Sequence, residues 1–128
     1  FVLNELEFGK TYYVWAYAKN SVGTGYSQAN TFTTVSIQEP SMEYYVNISN
    51  VGISEATFTS TISSANNGTI SKKGFCWSTT NSNPTITDSK QLIEDKGMTF
   101  TYKLTGLTNG TRYYVRAFAE NEAGISLS

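Results

Sequence analysis

Three aromatic residues spaced by two, Tyr13, Trp15 and Tyr17, are the side chains of this chain best suited to chemistry at a surface. On an extended strand, alternate residues share a face, so the rings would form a row with about 7 Å between successive rings. A flat apolar ring with a polar edge stacks equally well on a sugar ring or on a partner protein. The competing role for the same three residues is packing against neighbouring strands.

The other reactive groups point away from catalysis. There is no His, and Cys76 is the single cysteine. Imidazole acid–base chemistry, Cys–His pairs, the usual zinc ligand sets and intrachain disulfides are therefore excluded. Cys76 alternates with Phe75 and Trp77 and so lies on the opposite face. With only Lys72 and Lys73 as nearby cations, it reads as a packed small apolar residue and not a nucleophile. Asp88, Glu94 and Asp95 lie close in sequence but lack the ligand spacing of a calcium loop, so a solvated loop and edge strand are expected. Asn47-Ile48-Ser49, Asn67-Gly68-Thr69 and Asn109-Gly110-Thr111 fit the glycosylation acceptor pattern, as chance allows in a chain so rich in Asn, Ser and Thr. No enzyme activity, cofactor or metal is expected. A net charge of −1 gives no field toward nucleic acid or an anionic membrane. The longest apolar run, Tyr12 to Ala18, falls far short of the roughly 20 residues of a membrane span. Any signal peptide is expected outside these residues.

The elements that must position these residues are strands. Ser and Thr make up 33 of 128 residues and Tyr another 9, a composition suited to half-exposed pleated sheet. Period-two alternation runs through Thr11 to Asn20, Glu55 to Ser63, Ile70 to Ser78 and Met98 to Leu104. Tyr44 to Val51 is expected as an opening strand and Lys90 to Glu94 as a short edge strand. Asn66-Asn67-Gly68, Asn81-Ser82-Asn83-Pro84, Lys96-Gly97 and Asn109-Gly110 supply the turns. The core faces are expected to be Ala56, Phe58, Ser60 and Ile62 in one strand and Met98, Phe100, Tyr102 and Leu104 in another. Strands with turns every 8 to 12 residues predict an all-β sandwich.

One stretch is written twice. Tyr12-Tyr13-Val14-Trp15-Ala16-Tyr17-Ala18-Lys19-Asn20 returns 101 positions later as Tyr113-Tyr114-Val115-Arg116-Ala117-Phe118-Ala119-Glu120-Asn121. The register holds without a gap from Leu6/Leu107 to Ser27/Ser128, with ten of 22 pairs identical, so the chain carries tandem copies of one small unit. Tyr12, Val14, Ala16 and Ala18, with Tyr113, Val115, Ala117 and Ala119, are assigned to the core. Tyr114, Arg116, Phe118 and Glu120 are assigned to the wetter face.

The run from Leu107 through Gly110-Thr111 and Tyr113 to Asn121 and Gly124 resembles the end of a fibronectin type III domain, and Leu6 to Gly23 matches the same pattern. Cys76-Trp77-Ser78-Thr79-Thr80 followed by Asn83-Pro84-Thr85 is similar to the variant repeated in bacterial surface and secreted proteins. Phe8 and Asn109 stand where the family usually has Pro. The resemblance implies an immunoglobulin-like β-sandwich of fibronectin type III topology, preceded by a β-hairpin from an incomplete preceding repeat. It makes Tyr12 and Tyr113 tyrosine corners, whose hydroxyls bond to backbone at the preceding crossover. Leu107 would anchor that crossover, and Trp77 would fill core volume left by the tryptophan the family carries on its second strand.

The expected organisation is therefore residues 1–36 as the last hairpin of one repeat and residues 37–128 as a second domain with a shortened last strand. Residues 40 to 104 supply the earlier strands for one hairpin, yet the chain contains two. Three arrangements follow: the first hairpin's own strands lie upstream, or residues 1–34 dock on a neighbouring chain in a strand exchange, or the hairpin stays tethered and mobile. The resemblance implies a non-catalytic spacer or interaction module of an extracellular or cell-surface protein, in adhesion or polysaccharide handling. Its partners would be neighbouring domains of the same chain and a protein or polysaccharide ligand. The alternative is an accessory or carbohydrate-binding module of a secreted carbohydrate-active enzyme.

Overall fold

A computed structural model describes residues 2–128. Among these residues every regular element is a strand, every pairing is antiparallel, and no helix is long and apolar enough to cross a membrane. Two compact units meet in sequence between Ile37 and Gln38.

The first unit is a long hairpin built from β1 (Thr11–Val14), β2 (Tyr17–Lys19), β3 (Thr24–Tyr26) and β4 (Asn30–Thr33). β2 pairs with β3 at the tip and β1 with β4 at the base. Between the pairs Val14–Asn30 and Tyr17–Tyr26, two residues on one side face three on the other, which is a β-bulge. The bulge sits opposite Trp15 and Ala16 and interrupts the strand there. At the tip, the Asn20 side-chain oxygen accepts from Val22 N (2.9 Å) and Gly23 N (3.0 Å), a turn that Asn makes by mimicking backbone.

The second unit, Gln38–Ser128, is a sandwich. Its strands are β5 (Ser41–Met42), β6 (Asn47–Ser49), β7 (Glu55–Ser64), β8 (Lys72–Ser78), β9 (Ser89–Leu92), β10 (Thr99–Thr105), β11 (Tyr114–Asn121) and β12 (Gly124–Leu127). One sheet places β7 between β10 and the split first strand β5 and β6; the other runs β12-β11-β8-β9. Alternation decides what lies between the sheets. Ala56, Phe58, Ser60 and Ile62 of β7 are buried, while Thr59 and Thr61 turn outward and bond across the strands to Thr101 (3.0 Å) and Thr99 (2.9 Å). Phe75 of β8 joins the layers, its ring 5.7 Å from Phe58 and 5.0 Å from Phe100. Each such ring contributes about 1.5–3 kcal/mol by leaving water. Ala117 and Ala119 of β11 close this core, and Val115, Leu107 and Trp77 pack at its margin. The Trp77 ring stacks on Tyr102 at 6.3 Å.

Several expectations are corrected by the structure. Phe118 is not on a wet face: it is 2% exposed. It stands opposite Gly74 of β8 and Leu127 of β12, and the missing side chain at Gly74 leaves room for its ring. Gly74 is also required because a Cβ there would run into the Gln91 carbonyl of β9. The opening strand is shorter than Tyr44 to Val51: Tyr44 and Tyr45 pack edge to face on each other instead, and Asn50, at φ 48°, ends β6. β8 starts at Lys72 instead of Ile70, and the edge strand β9 covers Ser89–Leu92 instead of Lys90 to Glu94. Met98, placed in the core by alternation, is exposed just before β10. In the first unit the face assigned to the core is bare: Val14, Ala16 and Ala18 are exposed and Tyr12 is half-buried.

Candidate interaction surface

The two copies of the repeated motif reproduce each other bond for bond. Glu7 N donates to the Tyr12 hydroxyl at 2.9 Å, and Thr108 N donates to the Tyr113 hydroxyl at 3.1 Å. The backbone bond from Thr108 holds the Tyr113 phenol below its ordinary pKa. Gly9 and Gly110, at φ 65° and 68°, make the same left-handed turn ahead of each tyrosine. Ala16 N and Ala117 N each donate to a serine Oγ, of Ser27 and Ser128, at 2.9 Å. The Asn121 side-chain oxygen accepts from Ala123 N and Gly124 N as Asn20 does from Val22 N and Gly23 N. Leu107 N donates to Ser54 O at 2.9 Å, tying the second crossover to the start of β7.

What differs is the surroundings. Val115, Ala117 and Ala119 face the phenylalanine core, and β11 is also paired along its whole length with β8, from Tyr114–Ser78 to Glu120–Lys72. Their twins on the first hairpin have neither covering sheet nor second strand neighbour among the described residues. The hairpin consequently presents aromatic side chains to solvent. Tyr13, Trp15 and Tyr17 are 64%, 53% and 73% exposed. Tyr13 lies on β1 opposite Thr31, Tyr17 lies on β2 opposite Tyr26, and Trp15 falls in the interruption between them. Tyr17 and Tyr26 are 6.2 Å apart with rings tilted by 39°, and Tyr12 stacks on Phe32 at 5.6 Å. Among the described residues no ring contact joins Tyr13, Trp15 and Tyr17 to one another, so the surface is a scatter of rings and not a continuous stack. Tyr26, also exposed, belongs to it; period-two alternation across a hairpin turn is the signal that marks it.

The acidic residues are not brought together. Asp88 accepts from Thr85 N (2.9 Å) and the Asn81 amide (3.0 Å), Asp95 pairs with Lys73 (2.6 Å), and Glu94 is exposed. Backbone donation from Thr85 N holds Asp88 below the usual carboxylate range, and donation from Lys73 does the same for Asp95. Among the described residues no group of three or more His, Cys, Asp or Glu is arranged to hold a metal ion. Cys76 is fully buried, with Pro84 O at 3.5 Å and Arg116 O at 3.6 Å from its sulfur, and burial pushes its thiol up to about 11. A thiol so placed is no nucleophile at neutral pH.

Lys73 was not among the expected site residues, although it shares the inward parity of Phe75 and Trp77. It is 4% exposed, its ammonium lies 5.3 Å from the centre of the Phe100 ring, and it also donates to the Gly97 carbonyl. A groove of about 720 Å³ opens beside it, lined by Ile62, Ile70, Ile93 and Met98 among others. A charged residue at a core register is the sequence signal that marks it.

No family model and no curated protein sequence matches the chain. Solved structures share its architecture. Domains A168–A170 of titin superpose with a TM-score of 0.51 at 21% identity, over 96% of this chain and 39% of that one. The FN1–FN3 domains of chicken CNTN1 superpose with a TM-score of 0.51 at 17% identity, over 96% of this chain and 40% of that one. The chain spans about two fifths of the length of each. At this identity the likeness concerns the fold: the chain is an all-β protein with the immunoglobulin-like sandwich of fibronectin type III topology.

Proposed function

We propose that this chain is a non-catalytic module of a tandem-repeat bacterial cell-surface or secreted protein, serving as a spacer or interaction unit in adhesion or polysaccharide handling. The observation that carries the reading is the exposed aromatic set Tyr13, Trp15, Tyr17 and Tyr26 on a hairpin whose twin is built into a sandwich. Repetition of a small sandwich extends a chain away from its anchor, and exposed rings give one repeat something to hold. The reactive groups support a non-catalytic role: the lone thiol is buried, Asp95 is occupied by Lys73, and Asp88 is occupied by its own loop. Its partners are neighbouring domains of the same chain together with a protein or polysaccharide ligand.

A second reading is favoured by the same rings. An accessory or carbohydrate-binding module of a secreted carbohydrate-active enzyme would use them to stack on the apolar faces of sugar rings. Affinity electrophoresis in gels containing soluble polysaccharides, run with the native chain and Trp15→Ala, tests both. Retardation that Trp15→Ala abolishes supports a sugar-binding surface. Equal mobility on every polysaccharide removes that reading and leaves the spacer.

A further inference from the structure

We propose that the first hairpin is the acceptor for a β-strand from another polypeptide, laid antiparallel along residues 13–19, with apolar side chains turned onto Val14 and Ala16. The inference does not depend on whether the exposed rings bind sugar. Two features of the hairpin carry it, and the twin hairpin shows how they are satisfied together.

The first feature is an open edge. β1 pairs only with β4 and β2 only with β3 among the described residues, so the other edge of residues 13–19 presents unpaired backbone groups. Such an edge is a template for strand addition. In the second copy the same edge is filled by β8, with Ser78 opposite Tyr114, Gly74 opposite Phe118 and Lys72 opposite Glu120. Carried back 101 positions, that register sets a Lys72–Ser78-like strand against Tyr13, Tyr17 and Lys19. β11 runs unbroken through Arg116 and Ala117, whereas the first hairpin is interrupted at the equivalent Trp15 and Ala16, where no such neighbour lies alongside.

The second feature is an uncharged face. Val14, Ala16 and Ala18 carry no charge and are exposed, while Val115, Ala117 and Ala119 meet a phenylalanine core. On β8 the residues beside Ala117 and Val115 are Phe75 and Trp77. The strand this edge accepts therefore alternates, with large apolar residues at the two positions next to Ala16 and Val14. Main-chain pairing supplies the attraction and those two side chains the selectivity. A lone hairpin is marginal in water, so added pairing also steadies the acceptor.

The test uses the full ¹⁵N-labelled chain and a synthetic peptide of residues 70–80 carrying Cys76→Ser to prevent oxidation. Amide hydrogen exchange is followed with and without peptide, alongside sedimentation of the chain alone. The proposal predicts that exchange at residues 13–19 slows about tenfold or more. A peptide with Phe75→Ser and Trp77→Ser should lose the effect, as should a chain carrying Ala16→Asp. Three results overturn it: no slowing at residues 13–19 with peptide at its solubility limit, protection confined to the edges β6, β9 or β12, or protection of 13–19 that appears without peptide as the chain dimerises. The last would make a second copy the occupant.

Discussion

Ala119 is sealed between two sheets, and Ala18, the same residue of the same motif 101 positions earlier, is exposed to solvent. The hydrogen bonds around them are alike, so local sequence has built the same hairpin twice. Only the second hairpin has a partner sheet and a flanking β8.

This asymmetry predicts opposite responses to one substitution. Ala119→Leu overfills a packed core and should cost about 1–3 kcal/mol. Ala18→Leu meets no packed neighbour and should stay within about 0.5 kcal/mol. Chemical denaturation of each variant, followed by far-ultraviolet circular dichroism, separates the two; equal losses would contradict the burial difference.

The twin tyrosines differ in the same sense. Tyr113→Phe removes the acceptor for Thr108 N and should lower the denaturation midpoint of the sandwich, because the crossover from β10 to β11 loses its tie. Tyr12→Phe removes the matching bond to Glu7 N and should leave that midpoint unchanged, since the first unit folds on separate contacts. An unchanged midpoint for Tyr113→Phe would remove the hydroxyl from the account of stability.

How much of this is legible in the sequence depends on what each residue's position rests on. Alternation in β7 places Ala56, Phe58, Ser60 and Ile62 correctly because a strand buried on one face obeys period two wherever its own sheet continues. Alternation fails at Phe118 because burial on the outer face depends on Gly74 and Leu127, residues from two other strands. It fails at Val14 and Ala18 for the opposite reason, since an inward pattern is written even where no second layer is present. Of the interaction surface, Tyr13, Trp15 and Tyr17 are readable from spacing. Tyr26 and the break at Trp15 are not, because they follow from cross-strand register and the bulge.

Cys76 makes a prediction about alkaline pH. Its thiol rises from an ordinary 9.0 to about 11 on folding, chiefly through burial. A folded value above the unfolded one means the stabilisation is complete below pH 9 and is lost as pH rises from 9.0 toward about 11. Iodoacetamide at pH 8 should leave the folded chain unmodified and label it fully in denaturant, as read by intact mass. Rapid labelling of the folded chain would show that the site opens to solvent.

Asp95 makes the acid-side counterpart. Donation from Lys73 holds its carboxyl below the ordinary value of 3.8. A depressed folded value means the stabilisation is present above the unfolded pKa and is lost as pH falls through 3.8 and below. Asp95→Asn should flatten part of the acid limb of the stability curve; Asp88 and Glu122, also depressed, keep the remainder. An unchanged acid limb would detach the Lys73–Asp95 pair from stability.

Native-state hydrogen exchange of the unmodified chain tests the central claim most directly, because it compares twin strands within one molecule. Amides of residues 114–121 should exchange only with global unfolding of the sandwich, and those of residues 13–20 should exchange faster by about a hundredfold or more. Equal protection in the two stretches would contradict the account, for it would mean that the first hairpin is as fully covered as the second.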